Sequence, residues 1–66
     1  MRKNIFDIKN KNIVLTGSAG FLGSHYADFL SANGANLILI DIDEKKNKKL
    51  EKFIKSKYKI KCRSYA

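Results

Sequence analysis

The fold is decided by the stretch Thr16-Gly17-Ser18-Ala19-Gly20-Phe21-Leu22-Gly23, which follows an apolar run and opens a segment of helical spacing. The apolar run, Ile13-Val14-Leu15, is rich in β-branched residues and predicts a short buried strand over residues 11–16. After the stretch, small and apolar residues recur at the spacing of one helix face: Gly23, Ala27 and Leu30. We therefore expect a tight connection from a strand into a helix over residues 21–33, where Asn33-Gly34 supplies the stop.

The remaining sequence continues the alternation of strands and helices. Leu37–Ile40 is apolar on both faces and predicts a second strand that ends at Asp41. Asp43 is suited to cap a second helix, most of whose lysines fall on faces other than its apolar stripe. That stripe consists of Leu50, Phe53 and Ile54. In residues 58–63 apolar and basic residues alternate, as expected of a half-exposed third strand, so the predicted order is β-α-β-α-β.

Alternating strands and helices predict an α/β fold with a parallel sheet and right-handed crossovers. Two crossovers that step in one direction put both helices on one face, which leaves the other face of the first two strands bare. Because strands that are apolar throughout are typical of sheets covered on both sides, the sequence is expected to need more protein than it contains. We expect residues 1–66 to be the N-terminal β-α-β-α-β part of an incomplete, doubly wound parallel Rossmann sheet, with the third strand at its edge. A partner that covers the bare face is the alternative.

The glycine loop, defined as residues 17–23, fits the needs of a pyrophosphate. That group carries concentrated negative charge and requires backbone N–H donors at close range, without a Cβ in the way. Gly17 permits the tight turn, Gly20 permits close approach of the phosphates, and Gly23 lets the helix pack on the strand. A glycine triplet alone is a weak signal, but this one follows a predicted strand and opens a predicted helix.

Three further residues of the loop are candidate ligands of the phosphates. Phe21 and Leu22 open the helix, where unpaired N–H groups and the positive end of the helix dipole favour an anion. Ser18 can donate its hydroxyl to a phosphate oxygen, but it lacks a partner base and is no candidate nucleophile. The predicted cofactor-binding residues are Gly17, Ser18, Gly20, Phe21, Leu22, Gly23 and Asp41.

Asp41 lies 18 residues after Gly23, at the end of the second predicted strand. A carboxylate there can accept both hydroxyls of the adenosine ribose and would repel a 2′-phosphate, so the sequence predicts NAD rather than NADP as the cofactor. Lys45 and Lys46 keep NADP open, because a nearby cation could accept that phosphate. In the simpler interpretation Asp41 merely ends a strand and starts a turn.

At these residues the chain resembles the short-chain dehydrogenase/reductase family, and the resemblance extends over essentially all 66 residues. It includes the lead-in Phe6–Lys11, the block Ile13–Ala27 and the segment Gly34–Asp43. The spacing TGxxGxxGxxxA, which starts at Thr16, is that of the extended branch, whose members modify sugar nucleotides. The lead-in and the Gly34–Asp43 segment look more like the single-domain branch, so the branch stays open.

The resemblance implies hydride transfer between a nicotinamide ring and a carbinol or carbonyl carbon of a small-molecule substrate, in a full-length protein that is a homo-oligomer. It also implies a catalytic serine, and a tyrosine and lysine spaced as YxxxK. No YxxxK occurs in the sequence, because Leu30 stands four residues after Tyr26 and Cys62 stands four after Tyr58. We therefore expect the catalytic portion to be absent from this chain, which alone should be inactive.

The basic residues are concentrated in the last third of the chain. The net charge is +8, and residues 44–66 carry all of it, because residues 1–43 are neutral overall. Such a block could follow a phosphate backbone, so a non-catalytic nucleic-acid-binding module is the alternative from another class. The helical pattern of the lysines favours a solvated face instead. The glycine loop together with Asp41 also argues against the alternative, since a polyanion binder needs neither.

Composition excludes several other classes. With 44% hydrophobic residues the chain is too apolar to be disordered, and no apolar run approaches the roughly 18 residues of a membrane helix. Cys62 is the single cysteine, which excludes an internal disulfide, and we expect it to be a small buried residue of the third strand. His25 has no second ligand at metal spacing, so no metal site is predicted. Residues 1–11 lack the apolar core of a secretory signal, which predicts a cytoplasmic location.

Overall fold

The computed structural model describes residues 8–66, so the lead-in residue Phe6 lies outside the described part of the chain. The elements are β1 (Asn12–Thr16), α1 (Phe21–Ala32), β2 (Asn36–Ile40), α2 (Glu44–Lys57) and β3 (Cys62–Tyr65). Ile8, the second apolar residue of the lead-in, packs against the core. The N–H of Asn10 donates to the Gly34 carbonyl at 2.9 Å. The end of the lead-in therefore lies beside the turn between α1 and β2.

The three strands form one parallel sheet in the order β1-β2-β3. Val14 is opposite Ile38, and Ile38 is opposite Arg63, so these three side chains share one face of the sheet. The helices α1 and α2 contact each other and both contact β2, which places them together on the other face, as the sequence predicts. Parallel strands joined by helices in this order form the first half of a doubly wound sheet.

The core lies between the helix pair and the sheet. Its buried members are mostly small or medium-sized, because α1 packs closely on the strands: Ala27, Ala35, Leu37, Leu39, Ile54 and Cys62. Ile13, Leu15 and Leu30 lie at its margin and are partly buried. The predicted burial of Cys62 is confirmed, and burial raises the pKa of its thiol to about 11, so the thiol is protonated at neutral pH.

The opposite face of the sheet is uncovered by any element of residues 8–66. Val14 is 57% exposed and Tyr65 is 55% exposed. Along β2 the residues on the helix face are buried, whereas Ile38 and Ile40 on the open face are half-buried. The uncovered face is the one that the sequence predicts to be bare.

Both helices have the capping residues that the sequence indicates. The Asp43 side chain accepts the N–H of Lys46 at 3.1 Å at the start of α2. Helix α1 ends at Ala32 with Asn33 as its C-cap, and Gly34 has a φ of +89°, the left-handed conformation expected there. Neither helix in the described part of the chain is long and apolar enough to cross a membrane.

The third strand begins later than the alternation over residues 58–63 indicates. Tyr58 is the C-cap of α2, where its N–H donates to the Ile54 carbonyl at 2.9 Å. Its hydroxyl donates to Asp28 on α1 at 2.6 Å, which lowers the pKa of that carboxyl. These two bonds hold Tyr58 against the helices, so the sheet pairing starts only at Cys62.

Glu51 joins α2 to β3. It is only 6% exposed, and its carboxylate accepts hydrogen bonds from the Ser64 hydroxyl at 2.5 Å, from Lys48 at 3.2 Å and from Lys55 at 3.3 Å. Burial raises the pKa of this carboxyl, but the three hydrogen bonds together lower it by more, so the net pKa lies below its ordinary value. The ionised form of Glu51 therefore stabilises the fold.

We expect Glu51→Gln to make the free energy of unfolding fall less steeply as the pH is lowered. The folded-state pKa of Glu51 lies below that of the unfolded chain, so the unfolded chain takes up the proton first. This contribution is present above the unfolded pKa and is lost as the pH falls through the folded pKa. Urea unfolding between about pH 5.5 and 3 should show a shallower decline in the free energy of unfolding for the variant than for the wild-type chain. Ser64→Ala, which removes one of the hydrogen bonds, should give an intermediate slope, and identical slopes in all three chains would contradict the assignment.

Candidate functional site

The connection between β1 and α1 lies against the end of β2. The N–H groups of Gly17 and Ser18 both donate to the Ile40 carbonyl, at 2.8 Å and 3.3 Å. Because β1 and β2 are parallel neighbours, this carbonyl lies at the carboxyl edge of the sheet. Ligands of doubly wound α/β proteins bind outside this edge, so the glycine loop is anchored where such a ligand would lie.

Two glycines of the loop are required by its geometry. Gly17 has a φ of +67°, in the left-handed region that disfavours other residues. A Cβ on Gly23 would lie 2.1 Å from the Gly17 carbonyl oxygen, which leaves no space for any side chain. A Cβ on Gly20 would lie 3.4 Å from the same oxygen, an ordinary contact. The first turn of α1 thus rests directly on the backbone of the loop.

The N-terminus of α1 carries unpaired backbone donors. Gly20 is the N-cap and supplies no side-chain cap, and its carbonyl accepts the first helical bond, from the N–H of Ser24 at 2.9 Å. The N–H groups of Phe21, Leu22 and Gly23 have no acceptor within residues 8–66. Unpaired N–H groups at the positive end of a helix dipole are suited to bind an anion. The side chains of Phe21 and Leu22 are apolar and largely exposed, so the donors at the start of α1 come from the backbone.

Asp41 lies beside the loop, as its position after β2 predicts. One carboxylate oxygen accepts the N–H of Ala19 at 2.9 Å, and the other accepts the N–H of Asp43 at 2.9 Å. The residue is half-buried, and each carboxylate oxygen keeps a further lone pair for another donor. The structure therefore brings the glycine loop and the acid that the sequence singles out into direct contact.

Ser18 has a partner that the sequence does not indicate. Its side chain is fully buried, and its hydroxyl donates to Oδ1 of Asn47 on α2 at 2.5 Å. Since its N–H donates to the Ile40 carbonyl, both donors of Ser18 are used within the protein. The hydroxyl that the sequence assigns to a phosphate oxygen is thus engaged with α2, and the free amides at the start of α1 are the donors left for an anion.

Asn47 is the residue of this region that sequence reasoning missed. It is 1% exposed, and its amide nitrogen donates to the carbonyls of Leu39 at 3.0 Å and Tyr65 at 3.2 Å. The signal that could have identified it is its place on the buried stripe of α2, three residues before Leu50 and seven before Ile54. A polar side chain on such a stripe must find partners inside the protein.

A shallow depression lies between the first turn of α2 and the end of β3. Its lining includes Glu44, Lys45, Lys48 and Tyr65, with Asn47 at its base on the buried side. Within residues 8–66 no cluster of three His, Cys, Asp or Glu side chains could hold a metal ion.

We expect Gly23→Ala to destabilise the chain, although alanine is the better helix former. Helix propensity favours alanine over glycine by about 1 kcal/mol, whereas overpacking costs about 1–3 kcal/mol, and here the Cβ meets backbone that cannot easily move. Gly20→Ala is the matched control, because its Cβ has room, and it should lose less than about 1 kcal/mol at this N-cap. Urea unfolding measures both variants, and a Gly23→Ala chain as stable as wild type would refute the close packing.

The fold is similar to that of a solved oxidoreductase, yciK from E. coli, with a TM-score of 0.81. The match covers 96% of this chain and 26% of that chain, at 22% sequence identity. At this identity the likeness shows the fold alone, which is a partial Rossmann fold, as the sequence predicts.

Sequence relatives include the short-chain dehydrogenase/reductase aba4 of Botryotinia fuckeliana (strain B05.10), which is 47% identical over 49 residues, 74% of this chain and 19% of the relative. UDP-glucuronic acid decarboxylase 4 of Arabidopsis thaliana is 55% identical over 29 residues, 44% of this chain and 6% of the relative. The chain thus spans about a fifth or less of the length of these curated relatives.

A sequence model of the NAD dependent epimerase/dehydratase family matches residues 13–62, a range that contains the glycine loop and Asp41. Together with the short-chain dehydrogenase/reductase relative, this match confirms the resemblance that the sequence shows. The match extends over well more than half of the chain. The chain therefore belongs to the NAD dependent epimerase/dehydratase family.

Proposed function

We propose that this chain is the N-terminal, cofactor-binding portion of an NAD(P)-dependent oxidoreductase of the short-chain dehydrogenase/reductase type. The observation that carries the proposal is the meeting of two features at one sheet edge, the unpaired amides at the start of α1 and the Asp41 carboxylate beside the loop. A pyrophosphate requires donors and an adenosine ribose requires acceptors. These two groups are neighbours in a dinucleotide, which therefore fits the site.

In the proposed complex the pyrophosphate accepts hydrogen bonds from the N–H groups of Phe21 and Leu22, which lie at the positive end of the α1 dipole. Gly20 has no side chain to keep the phosphates at a distance. The two hydroxyls of the adenosine ribose donate to Asp41, whose orientation is already set by its two backbone bonds. Preorganised partners of this kind lose little entropy when the ligand binds.

The catalytic step is proposed to need residues that this chain does not have. When bound, the nicotinamide ring accepts or supplies a hydride. The residues assigned above hold the adenosine and pyrophosphate end of the molecule, and the 66-residue sequence contains no YxxxK pair. We therefore assign hydride transfer with a small-molecule alcohol or carbonyl substrate to the complete protein, and expect the chain alone to be inactive.

NAD is proposed as the cofactor in preference to NADP. A 2′-phosphate on the ribose would meet the Asp41 carboxylate, which two backbone bonds hold in place. Asp43 lies close by and adds a second negative charge. Lys45 and Lys46 are exposed on the first turn of α2 and could offset part of this repulsion, but neither side chain is fixed by a bond to the loop within residues 8–66. We propose that two positioned carboxylates outweigh these two mobile ammonium groups.

The complete protein is proposed to cover the open face of the sheet with further elements of the same domain. Val14, Ile38 and Tyr65 form an apolar surface there that no element of residues 8–66 covers. The relative from Botryotinia fuckeliana is about five times as long as the 49-residue segment that it matches, which leaves room for such elements in a relative of this kind. We also propose a cytoplasmic location and, as the resemblance implies, a homo-oligomeric full-length protein.

A nucleotide-sugar epimerase or dehydratase of the extended branch is the second candidate. It is favoured by the family match to residues 13–62 and by Phe21, where the common single-domain dehydrogenases have glycine. The two candidates use the cofactor site in the same way and differ in substrate. The relatives include a short-chain dehydrogenase/reductase and a UDP-glucuronic acid decarboxylase, so the glycine loop alone does not separate the two candidates.

The basic surface of α2 is proposed to be a solvated helix face and not a nucleic-acid site. Lys48 and Lys55 pair with Glu51 on their own helix, and Lys57 pairs with Asp28 on α1. Lysines that neutralise the protein's own carboxylates contribute less to a polyanion site. Each surface pair of this kind contributes little free energy. A direct binding measurement therefore distinguishes a solvated face from a nucleic-acid site.

We expect NAD to change the backbone amide NMR signals of residues 17–23 and 41–43 in the 66-residue chain, because these segments form the proposed site. NADP should bind more weakly, and a short DNA duplex should cause no change confined to one region. Changes over residues 45–63 with DNA, together with no response to NAD, would favour the nucleic-acid alternative and refute the proposed function.

We expect Asp41→Asn to weaken NAD binding by about tenfold or more, because hydrogen bonds to a charged acceptor contribute about 1.5–3 kcal/mol. The same change should narrow the preference for NAD over NADP, since it removes the nearest negative charge. Asp43→Asn is the matched control, because it removes one charge two residues away and asparagine caps a helix as well as aspartate does. Isothermal titration calorimetry with NAD and NADP measures the six affinities of the wild-type chain and the two variants. Equal effects of the two substitutions would mean that net charge and not the ribose contact sets the affinity.

A further inference from the structure

Asn47 links three segments at the carboxyl edge of the sheet. Its Oδ1 accepts the Ser18 hydroxyl at 2.5 Å, and its Nδ2 donates to the carbonyls of Leu39 at 3.0 Å and Tyr65 at 3.2 Å. We propose that Asn47 is a positioning residue of the cofactor site, which acts through Ser18 to hold the glycine loop in its binding shape. This inference rests on the proposed function, since the shape matters only if the loop binds a ligand.

The loop has one side-chain anchor of its own. Among residues 17–20 only Ser18 has a polar side chain, since the others are glycine or alanine. The remaining bonds of this segment are made by its backbone, and the Ser18 N–H reaches the Ile40 carbonyl at a long 3.3 Å. The shorter bond of Ser18 to Asn47 therefore contributes strongly to fixing the second residue of the loop.

The bond between Ser18 and Asn47 is buried and has no substitute. Ser18 has no exposed surface and Asn47 has 1%, so water cannot replace either partner without a rearrangement. The other two polar contacts of the Asn47 side chain end on strand carbonyls, and the Tyr65 carbonyl also accepts the Asp41 N–H at 3.1 Å. Removing one member of such a bond leaves the other unpaired, which is the costly case.

The position of Ser18 affects both halves of the proposed site. On one side it follows Gly17, whose carbonyl lies directly under Gly23 in the first turn of α1. On the other side it precedes Ala19, whose N–H donates to Asp41 at 2.9 Å. A shift of Ser18 would therefore move the loop under the phosphate-binding amides and also the carboxylate that is assigned to the ribose.

The chain contains a matched control for this bond. Ser64 on β3 donates to Glu51 at 2.5 Å, so it too is a serine hydroxyl that bonds to the inner side of α2. Glu51 lies four residues after Asn47, one turn further from the loop. Ser64→Ala thus removes a hydrogen bond of the same length to the same helix without touching the glycine loop.

We expect Ser18→Ala to weaken NAD binding about two- to tenfold, the range that the loss of one hydrogen bond gives. Ser64→Ala should lower the midpoint of urea unfolding about as much as Ser18→Ala does. It should leave the Kd for NAD unchanged. Calorimetric titration gives the Kd of each variant for NAD and for ADP-ribose. Both titrations are made under conditions in which each chain is folded. Asn47→Leu should weaken binding at least as much as Ser18→Ala, and the double variant should be no weaker than Asn47→Leu alone, because the two residues act through one bond.

Three results would overturn the inference. One is an unchanged Kd in Ser18→Ala, a second is an equal loss of affinity in Ser64→Ala, and the third is full additivity in the double variant. Asn47→Leu also breaks two bonds to strand carbonyls and is the variant most at risk of unfolding. Ser18→Ala leaves those two bonds intact and carries the test without it.

A second measurement separates this inference from the proposed function. Hydrogen exchange of the Ala19 amide, which donates to Asp41, reports the order of the loop without any ligand. We expect faster exchange at Ala19 in Ser18→Ala than in Ser64→Ala. If the wild-type chain binds neither NAD nor ADP-ribose, the proposed function fails, and equal Ala19 exchange in the two variants would then overturn the positioning of the loop as well.

Discussion

The contact between Gly23 and the backbone of the loop below it is the constraint on which the rest of this structure depends. A Cβ at position 23 would lie only 2.1 Å from the Gly17 carbonyl oxygen, so no other residue fits there. Helix α1 therefore packs directly on the β1–α1 connection. The same close approach continues one turn later at Ala27, which has no exposed surface. Because the helix lies so close to the sheet, its first amides directly follow the β1–α1 connection, which Ala19 links to Asp41 at the carboxyl edge of the sheet. The packing of the helix thus also determines the position of the amides that are proposed to bind the pyrophosphate.

A helix that lies close to its sheet leaves little space for a core, and this has a consequence for stability. The buried apolar residues are few, and two of them are alanines. The inner side of α2 carries Asn47 and Glu51 where larger apolar side chains would be usual, and both are almost fully buried. Buried polar groups stabilise a fold only when all their bonds are made, so they contribute specificity more than net free energy. In this chain Asn47 fixes the carboxyl ends of β2 and β3 relative to the loop, whereas Glu51 joins α2 to β3.

The parts of the site that could be predicted from the sequence are those that follow from local sterics and charge. Gly17 and Gly23 are recognisable because a left-handed turn and a close helix approach exclude other residues, and Asp41 because it ends an apolar strand. The bond between Ser18 and Asn47 joins residues 29 apart in sequence, and no local pattern specifies such a pair. The start of β3 differs from the sequence expectation for a related reason. Tyr58 fits an alternating pattern, but its bond to Asp28, 30 residues away, holds it at the helix end.

The fold has two requirements, a fixed glycine loop and a cover for both faces of the sheet, and residues 8–66 meet only the first. The shape of the glycine loop is determined by bonds that lie entirely within residues 8–66, from Ile40, Asp41 and Asn47. The open face of the sheet, with Val14 more than half exposed, is not covered within those residues. When only a fraction of molecules is in the binding-competent state, the apparent Kd equals the intrinsic Kd divided by that fraction. A low affinity measured on this chain would then reflect the uncovered sheet and the small core, while ratios between variants of equal stability would still report the geometry of the loop.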